Sequence, residues 1–272
     1  MTPSNGPLTT CVVTRRGFLL GALALLLRRP GWAAAVEARR SPYEVDLGIL
    51  YDLLRFRLTG TIAEAVDRER GRYEVGMRGE GHGIQNQSDS VGILRGARWA
   101  PLKSSLRVVV YGRESHLDVT YDHDARLVHY RGRSETFFLR RLRVAENVVR
   151  IPPGVHVDDA ATALLNYAEG LWPPRPDGRL VTHVVRRRRA LNETADDVQK
   201  SYEVELVPLV LTLEPDPRSG MTTALFDLGG LSSWAREDRP ARIVFGPDRR
   251  PRTLTSALIL GTSLAVRVGG GA

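Results

Sequence analysis

The chain has 272 residues, of which 42% are hydrophobic and 26% are charged. This balance is typical of a globular domain, and it excludes disordered, collagen-like and polytopic membrane proteins. A formal charge of +8 at pH 7 suggests nucleic acid or an anionic membrane as a partner. The distribution of this charge along the chain decides whether either partner fits.

Two consecutive arginines stand near the start of the chain, in Thr14-Arg15-Arg16-Gly17-Phe18-Leu19. The apolar run from Leu19 to Leu27 that follows them is shorter than the roughly 20 residues that a membrane-spanning helix needs. The pattern predicts an export signal that resembles the twin-arginine class. The alternative is an ordinary secretory signal whose basic region ends in two arginines.

Small residues mark the end of this predicted signal peptide. The stretch around Ala35 and Ala38 has the small-residue pattern that signal peptidases recognise, so we predict cleavage after one of the two. The predicted organisation is therefore a signal peptide over residues 1–38 and a single domain over residues 39–272. We expect the domain to be periplasmic or otherwise exported, with no permanent transmembrane anchor after cleavage.

Loss of the predicted signal lowers the positive charge. Residues 1–38 carry four arginines and one glutamate, so the predicted domain keeps a formal charge of about +5. The densest basic run, Arg186–Arg189, has no aromatic residues between its charges, which argues against nucleic acid as a partner. It is either a solvated strand end or a patch for anionic lipid head groups or glycans. Cys11, the only cysteine, lies in the predicted signal, so we expect no disulfide.

Alternation of apolar and polar residues dominates the chain after residue 45. One predicted strand places Leu54, Phe56 and Leu58 on one face, and a second, after a turn, places Tyr73, Val75 and Met77 on one face. Such strands recur about every ten residues, which is typical of an antiparallel meander. Two of them have apolar faces formed by Leu106, Val108 and Val110 and by Leu117, Val119 and Tyr121. The predicted fold class is all-β, mainly antiparallel, built as a curved sheet, a half-barrel or a β-sandwich.

One helix interrupts this pattern. The segment from Asp158 to Ala168 begins with two aspartates and is rich in alanine and leucine, so we predict one short helix around residues 158–169. Further strands are predicted over 136–144, 180–187, 202–214, 222–227, 232–237, 241–245 and 253–268. Pro208 marks its strand as an edge strand or a bulged one.

Four segments, taken in order, resemble one bacterial family. They are Tyr43-Glu44-Val45-Asp46-Leu47-Gly48-Ile49, Trp99-Ala100-Pro101-Leu102, the predicted helix, and Trp234-Ala235-Arg236-Glu237-Asp238-Arg239-Pro240-Ala241-Arg242-Ile243. Together they resemble the exported proteins of domain-of-unknown-function family 3108, over about residues 43–268. The resemblance implies a β-rich domain located in the cell envelope, and it implies no catalytic residues.

The chain shows no motif that would bind a cofactor, so none is predicted, and the catalytic residues of any enzyme remain unknown. No pair of histidines has the spacing of a helical zinc site, and no Gly-x-Ser-x-Gly segment occurs. We predict no metal site, and we interpret the polar residues near Asp122 and Asp124 as a turn that caps its own backbone. The alternative is a metal-dependent or hydrolytic site at the group His116, Asp118, Asp122, His123, Asp124 and His129.

Two functional hypotheses follow from the sequence. In the first, the protein is a non-catalytic binding or cell-envelope module that holds an apolar ligand in its curved sheet, with a lipid, a glycan or another envelope component as the partner. The predicted ligand-binding residues are Leu54, Phe56, Leu58, Tyr73, Val75 and Met77, which equally fit a plain core. In the second, it is an exported hydrolase or metal-dependent enzyme with its site near His116–His129.

Overall fold

The computed structural model describes residues 36–49, 54–136, 139–188, 197–228, 236, 238–258 and 262–269. The chain divides into two units, Met1–Val36 and Glu37–Ala272. The second unit holds every described residue except Val36. The predicted signal residues Arg15, Arg16 and Ala35 lie outside the described residues, whereas Ala38 is an exposed residue of the first strand.

Within the described residues, fourteen strands form one sheet. They are β1 (Val36–Ile49), β2 (Leu54–Asp67), β3 (Arg72–Gly81), β4 (Ile84–Arg95), β5 (Arg98–Val110), β6 (Arg113–Asp122), β7 (Leu127–Glu135), β8 (Leu142–Arg150), β9 (Leu180–Arg187), β10 (Val204–Pro215), β11 (Thr222–Phe226), β12 (Ala241–Phe245), β13 (Pro251–Leu258) and β14 (Thr262–Val268).

The strand order is β8-β7-β6-β5-β4-β3-β2-β1-β14-β13-β12-β11-β10-β9. Consecutive strands lie side by side except β8 and β9, which form the two edges of the sheet, and the first strand pairs with the last, where Tyr43 faces Val268. The pairs from β2 to β8, from β9 to β14 and between β14 and β1 are antiparallel. Short turns make this arrangement possible, since an antiparallel pair needs only a hairpin connection.

The sheet curls until its two edge regions overlap. Val128 on β7 packs in one apolar cluster with Val185 on β9 and Leu206 on β10. The segment after β8 also reaches the other edge, because Val157 forms an isolated parallel bridge with His183. The result is a nearly closed, barrel-shaped sheet, which confirms the predicted all-β, mainly antiparallel fold with one short helix.

The helix, α1 (Ala160–Ala168), packs against the inner face of β4 and β5. Asp159 is its N-cap, and the Asp159 side chain accepts a hydrogen bond from the backbone N–H of Thr162. Five of the nine helical residues are buried, so tertiary packing stabilises this short helix. They are Thr162, Ala163, Leu165, Asn166 and Tyr167.

A pair of glycines makes room for an aromatic ring on the inner face. Gly60 and Gly79 face each other on β2 and β3, and the ring of Tyr43 covers both. A Cβ at Gly60 would meet Cε1 of Tyr43 at 2.6 Å, and one at Gly79 would overlap the Tyr43 hydroxyl. Only glycine fits at these two positions while Tyr43 keeps its place.

Two predicted strands differ from the structure, and a third is not described by it. The strand expected over 136–144 begins only at Leu142, because Thr136 and Arg141 close a turn through their backbone groups. The strand expected over 253–268 is two strands, β13 and β14, which pair with each other. Most of the strand expected over 232–237 lies outside the described residues.

Pro208 was predicted to mark an edge strand or a bulged one, but β10 lies between β9 and β11 in the sheet and its register with β9 is continuous through Pro208. Pro208 pairs with His183 on β9, whereas β10 pairs with β11 only over residues 212–215. The proline therefore stands where its strand is bonded on one side, so its missing N–H breaks no ladder.

Candidate functional site

Five of the six predicted ligand-binding residues lie on the inner face of the sheet. Leu58 and Tyr73 are buried, with 4% and 3% of their surface exposed, whereas Phe56, Val75 and Met77 are half-buried. Leu54 is the first residue of β2, but its side chain lies outside the described part of the chain. The alternation therefore selected the correct face of the two strands.

At one end of the inner face, which we call the helix end, α1 covers the sheet. Leu165 of α1 packs in one cluster with Val66, Tyr73 and Trp99, and the rings of Tyr73 and Trp99 meet edge to face with centroids 5.7 Å apart. The chain itself thus occupies the space in front of Tyr73. No ligand can reach that ring while α1 stays in place.

A buried carboxylate holds α1 at the helix end. Asp158 is fully buried and accepts hydrogen bonds from Arg98 Nη2 at 2.9 Å, Thr182 Oγ1 at 2.6 Å and Asn166 Nδ2 at 3.0 Å. His156 Nε2 lies 3.1 Å from the same carboxylate. These donors come from β5, β9, α1 and the segment before α1, so one side chain ties together four parts of the fold. Burial lowers the pKa of Arg98, while the charge of Asp158 opposes that shift.

The neighbouring Asp159 binds a second set of groups. It accepts from Ser90 Oγ at 2.6 Å and from Thr162 Oγ1 at 2.8 Å, and the Tyr73 hydroxyl bonds to both Ser90 and Thr162. Desolvation raises the pKa of Asp159, against the effect of these hydrogen bonds. Burial also raises the pKa of Tyr73. Every polar group in this network serves to fix the helix on the sheet.

The opposite part of the inner face, which we call the open end, is not covered by α1. A row of inward side chains crosses seven strands there, because residues that face each other in adjacent strands share a face. The row passes through the predicted residue Met77 and then through Leu106 on β5 and Ala145 on β8. Its members in order are Ile62, Met77, Ser88, Leu106, Leu117, Gly132 and Ala145.

A cavity of about 170 Å³ lies at the β5–β8 part of this row. Leu106, Leu117, Tyr130 and Ala145 form its apolar wall, and the ring of Tyr130 lies over Gly132, 3.0 Å from where a Cβ would stand. The polar part of the lining consists of Ser115, His116, Arg133, Ser134 and Arg143. Leu106 points inward yet keeps 36% of its surface exposed. We call this cavity the apolar cleft. Arg187, whose guanidinium lies 4.6 Å from the ring of Tyr202, also lines it.

The sequence reasoning missed Leu106 and Leu117 as site residues. Both were inward positions of predicted strands, so alternation alone gave their face. What it could not give is the register that sets them in one row with Gly132 and Ala145 at the cavity.

The histidine and aspartate group of the alternative hypothesis does not gather at one point. His116 Nε2 lies 2.6 Å from Asp118 on the outer face of β6, where the two side chains keep 43% and 35% of their surface exposed. Asp122 accepts from the backbone N–H of Asp124 and Ala125, as an aspartate in a turn does. Within the described ranges, no group of three or more His, Cys, Asp or Glu side chains could hold a metal ion.

The basic run is largely paired with acidic residues. Arg186 and Arg188 both form ion pairs with Glu205, and Arg188 also pairs with Glu203. Arg189 lies outside the described residues. This arrangement fits a solvated strand end better than an anion-binding patch.

Comparisons with known proteins give a limited result. No family model matches the chain, and no curated protein matches it. The chain is similar to a beta-barrel-like protein of domain of unknown function DUF1849 from Brucella abortus, known from a crystal structure. The identity is 10%, the match covers 84% of this chain and 95% of that one, and the TM-score is 0.37. A similarity this low says nothing about what this chain binds. In the described part of the chain, no helix has both the length and the apolar character to cross a membrane.

Proposed function

We propose that this chain is an exported, cell-envelope-associated binding protein rather than an enzyme, and that the apolar cleft holds the apolar part of its ligand. Export rests on the signal-like segment that contains Arg15 and Arg16, and cell fractionation of the full chain is its direct check. A lipid or another envelope component with an apolar group is the class of ligand that suits the cleft.

The exposure of Leu106 is the observation that carries the proposal. Inward apolar side chains of a closed β-sheet normally fill the core, as Tyr73 and Trp99 do here. Leu106 instead keeps 36% of its surface open beside a cavity of about 170 Å³. An apolar cavity of about 150 Å³ in another protein stays dry and binds benzene, so the apolar cleft can accept one ring or a short alkyl segment.

Binding of a neutral, apolar fluorescent probe, N-phenyl-1-naphthylamine, tests the proposal. We expect the full chain to increase the fluorescence of the probe in a saturable way. Leu106→Glu should weaken binding about tenfold, since it removes apolar contact and places a charge in the cleft.

Leu102→Glu is the matched control. Leu102 lies on the same strand with 38% exposure, close to the 36% of Leu106, but it does not line the cleft. It should leave probe binding unchanged. Equal binding by the wild type and Leu106→Glu would refute the cleft as the site. If Leu106→Glu does weaken binding of the probe, mass spectrometry of molecules that copurify with the chain would identify the natural ligand.

A further inference from the structure

A second cavity, of about 450 Å³, lies at the helix end beside the β6–β7 turn. We call it the histidine pocket. His123, His156 and Arg126 line it, with the ion pair between Arg95 and Asp124 at its side. It shares no lining residue with the apolar cleft. The enzyme hypothesis drawn from the sequence named His123 and Asp124, but neither hypothesis named His156 or Arg126.

Two imidazoles in this pocket are fixed by the backbone of β5. His156 Nε2 lies 3.2 Å from the carbonyl oxygen of Trp99 and 3.1 Å from Oδ1 of Asp158, and His123 Nε2 lies 2.6 Å from the carbonyl oxygen of Pro101. Trp99 and Pro101 are two apart on one strand, so the carbonyl groups lie about 6.6 Å from each other along β5. A carbonyl oxygen can only accept a hydrogen bond, so each Nε2 must carry its hydrogen.

The position of these hydrogens decides what the pocket offers to a ligand. In a neutral imidazole with Nε2 protonated, Nδ1 is a hydrogen-bond acceptor. Desolvation lowers the pKa of His123, which favours its neutral form. Neither Nδ1 atom has a partner within the described part of the chain. The pocket therefore presents two acceptors that a ligand with hydroxyl groups can satisfy.

Arg126 supplies the opposite chemistry. Its Nε donates to the carbonyl oxygen of Ile151 at 3.1 Å, and no carboxylate among the described residues pairs with its guanidinium. Asp124, the nearest acidic residue in the lining, pairs with Arg95 at 2.8 Å and is 89% exposed. Arg126 also adopts a left-handed backbone conformation with φ of 57°, a position where glycine, asparagine or aspartate is more usual.

We propose that the histidine pocket binds a carbohydrate that carries an acidic group. Its hydroxyl groups donate to Nδ1 of His123 and Nδ1 of His156, and its acid group accepts from the guanidinium of Arg126. A simple anion would satisfy only Arg126, because it has no hydrogen to donate to the two imidazoles. A neutral sugar would satisfy only the imidazoles. The volume lies within the range of about 300–1,000 Å³ that is typical of small-ligand sites.

Calorimetric titration of the full chain with three probes separates these possibilities. Glucuronate carries hydroxyl groups and an acid, glucose carries the hydroxyl groups alone, and cyclohexanecarboxylate carries the acid alone. We expect glucuronate to bind about tenfold more tightly than either of the others, since one charge-assisted hydrogen bond accounts for at least that factor.

Two variants assign the roles. Arg126→Gln should abolish the preference for glucuronate over glucose, while Arg150→Gln, an exposed arginine that faces Leu127 in the adjacent register, should leave it intact. His123→Phe should weaken both sugars and keep the ring beside Tyr121, with which His123 stacks at 6.2 Å. If that variant does not fold, His123→Gln takes its place.

The proposal is overturned if cyclohexanecarboxylate binds as tightly as glucuronate, if none of the three probes saturates, or if Arg126→Gln keeps the preference. Leu106→Glu should not change glucuronate binding, because Leu106 lies in the apolar cleft. The histidine pocket therefore stands or fails independently of the proposed function.

Discussion

The helix end and the open end of the same inner face are built in opposite ways. At the helix end, large rings and a buried network of carboxylates, hydroxyls and amides fill the space between α1 and the sheet, and α1 is fixed by Asp158 and Asp159. The histidine pocket at this end has no lining residue on α1. At the open end, the inward residues become small, as at Ser88, Gly132 and Ala145, and Leu106 stays partly exposed.

This difference shows that one part of a curved sheet can supply the packed core while another part retains a cavity. A small sheet protein without a disulfide needs at least one closely packed core, because buried apolar area is the main source of its stability. The helix end supplies that core. We expect the open end to contribute less to stability, so it can keep a cavity that is available to a ligand.

The largest expected effect comes from the anchor of the helix end. Asp158→Ala should lower the free energy of unfolding by about 3–5 kcal/mol. It leaves the partly buried Arg98 without its counter-charge, and it leaves the donor groups of Thr182 and Asn166 without an acceptor. Urea denaturation measures the change. Asp124→Ala is the control, since this side chain is 89% exposed in its ion pair with Arg95, and we expect a change within about 0.5 kcal/mol. Similar losses in both variants would mean that Asp158 does not anchor the helix end.

The second prediction tests the glycine pair beneath Tyr43, which lies between the two ends. Gly79→Ala should destabilise the fold by about 1–3 kcal/mol, because its Cβ would overlap the Tyr43 hydroxyl. Gly76→Ala, on the same strand, would place its Cβ 3.4 Å from Asp89 Oδ1, so its stability should be unchanged or higher by up to about 1 kcal/mol. Adding Tyr43→Phe to Gly79→Ala should restore part of the loss in thermal melts. No recovery in the double variant would argue that the ring is not what excludes a side chain at Gly79.

Sequence reasoning reached some of this comparison and missed the rest for physical reasons. The alternation that placed Tyr73 and Met77 on one face is a local property of a strand, so it needed no knowledge of tertiary contacts. The position of α1 decides which of these residues is covered. Tyr73 is covered because Leu165 of α1, distant in sequence, packs against it, whereas Met77 belongs to the row at the open end.

The polar residues show the same limit. Asp158 and Asp159 were predicted to start a helix, and Asp159 does cap it. Their burial and their contacts with Arg98, Thr182 and Ser90 come from strands distant in sequence. His123 and His156 likewise share a pocket only because two carbonyl groups of β5 bind both rings.

The smallest expected effect is also the sharpest test of the difference between the two ends. Ala145 lines the apolar cleft and Ala163 lies in the core around α1, and both are 4% exposed. Burial alone would predict the same cost for enlarging either residue to leucine. The packing of the two sites predicts different results. Ala163→Leu should lower the free energy of unfolding by about 1–3 kcal/mol, because the core around α1 has no room for a larger side chain. Ala145→Leu should change it by less than about 0.5 kcal/mol, because the leucine side chain can enter the cavity of about 170 Å³. The same Ala145→Leu variant should lose binding of N-phenyl-1-naphthylamine, since leucine occupies the space of the probe. Equal destabilisation by both variants would show that the open end is packed as closely as the helix end, and the cleft would then have no room for a ligand.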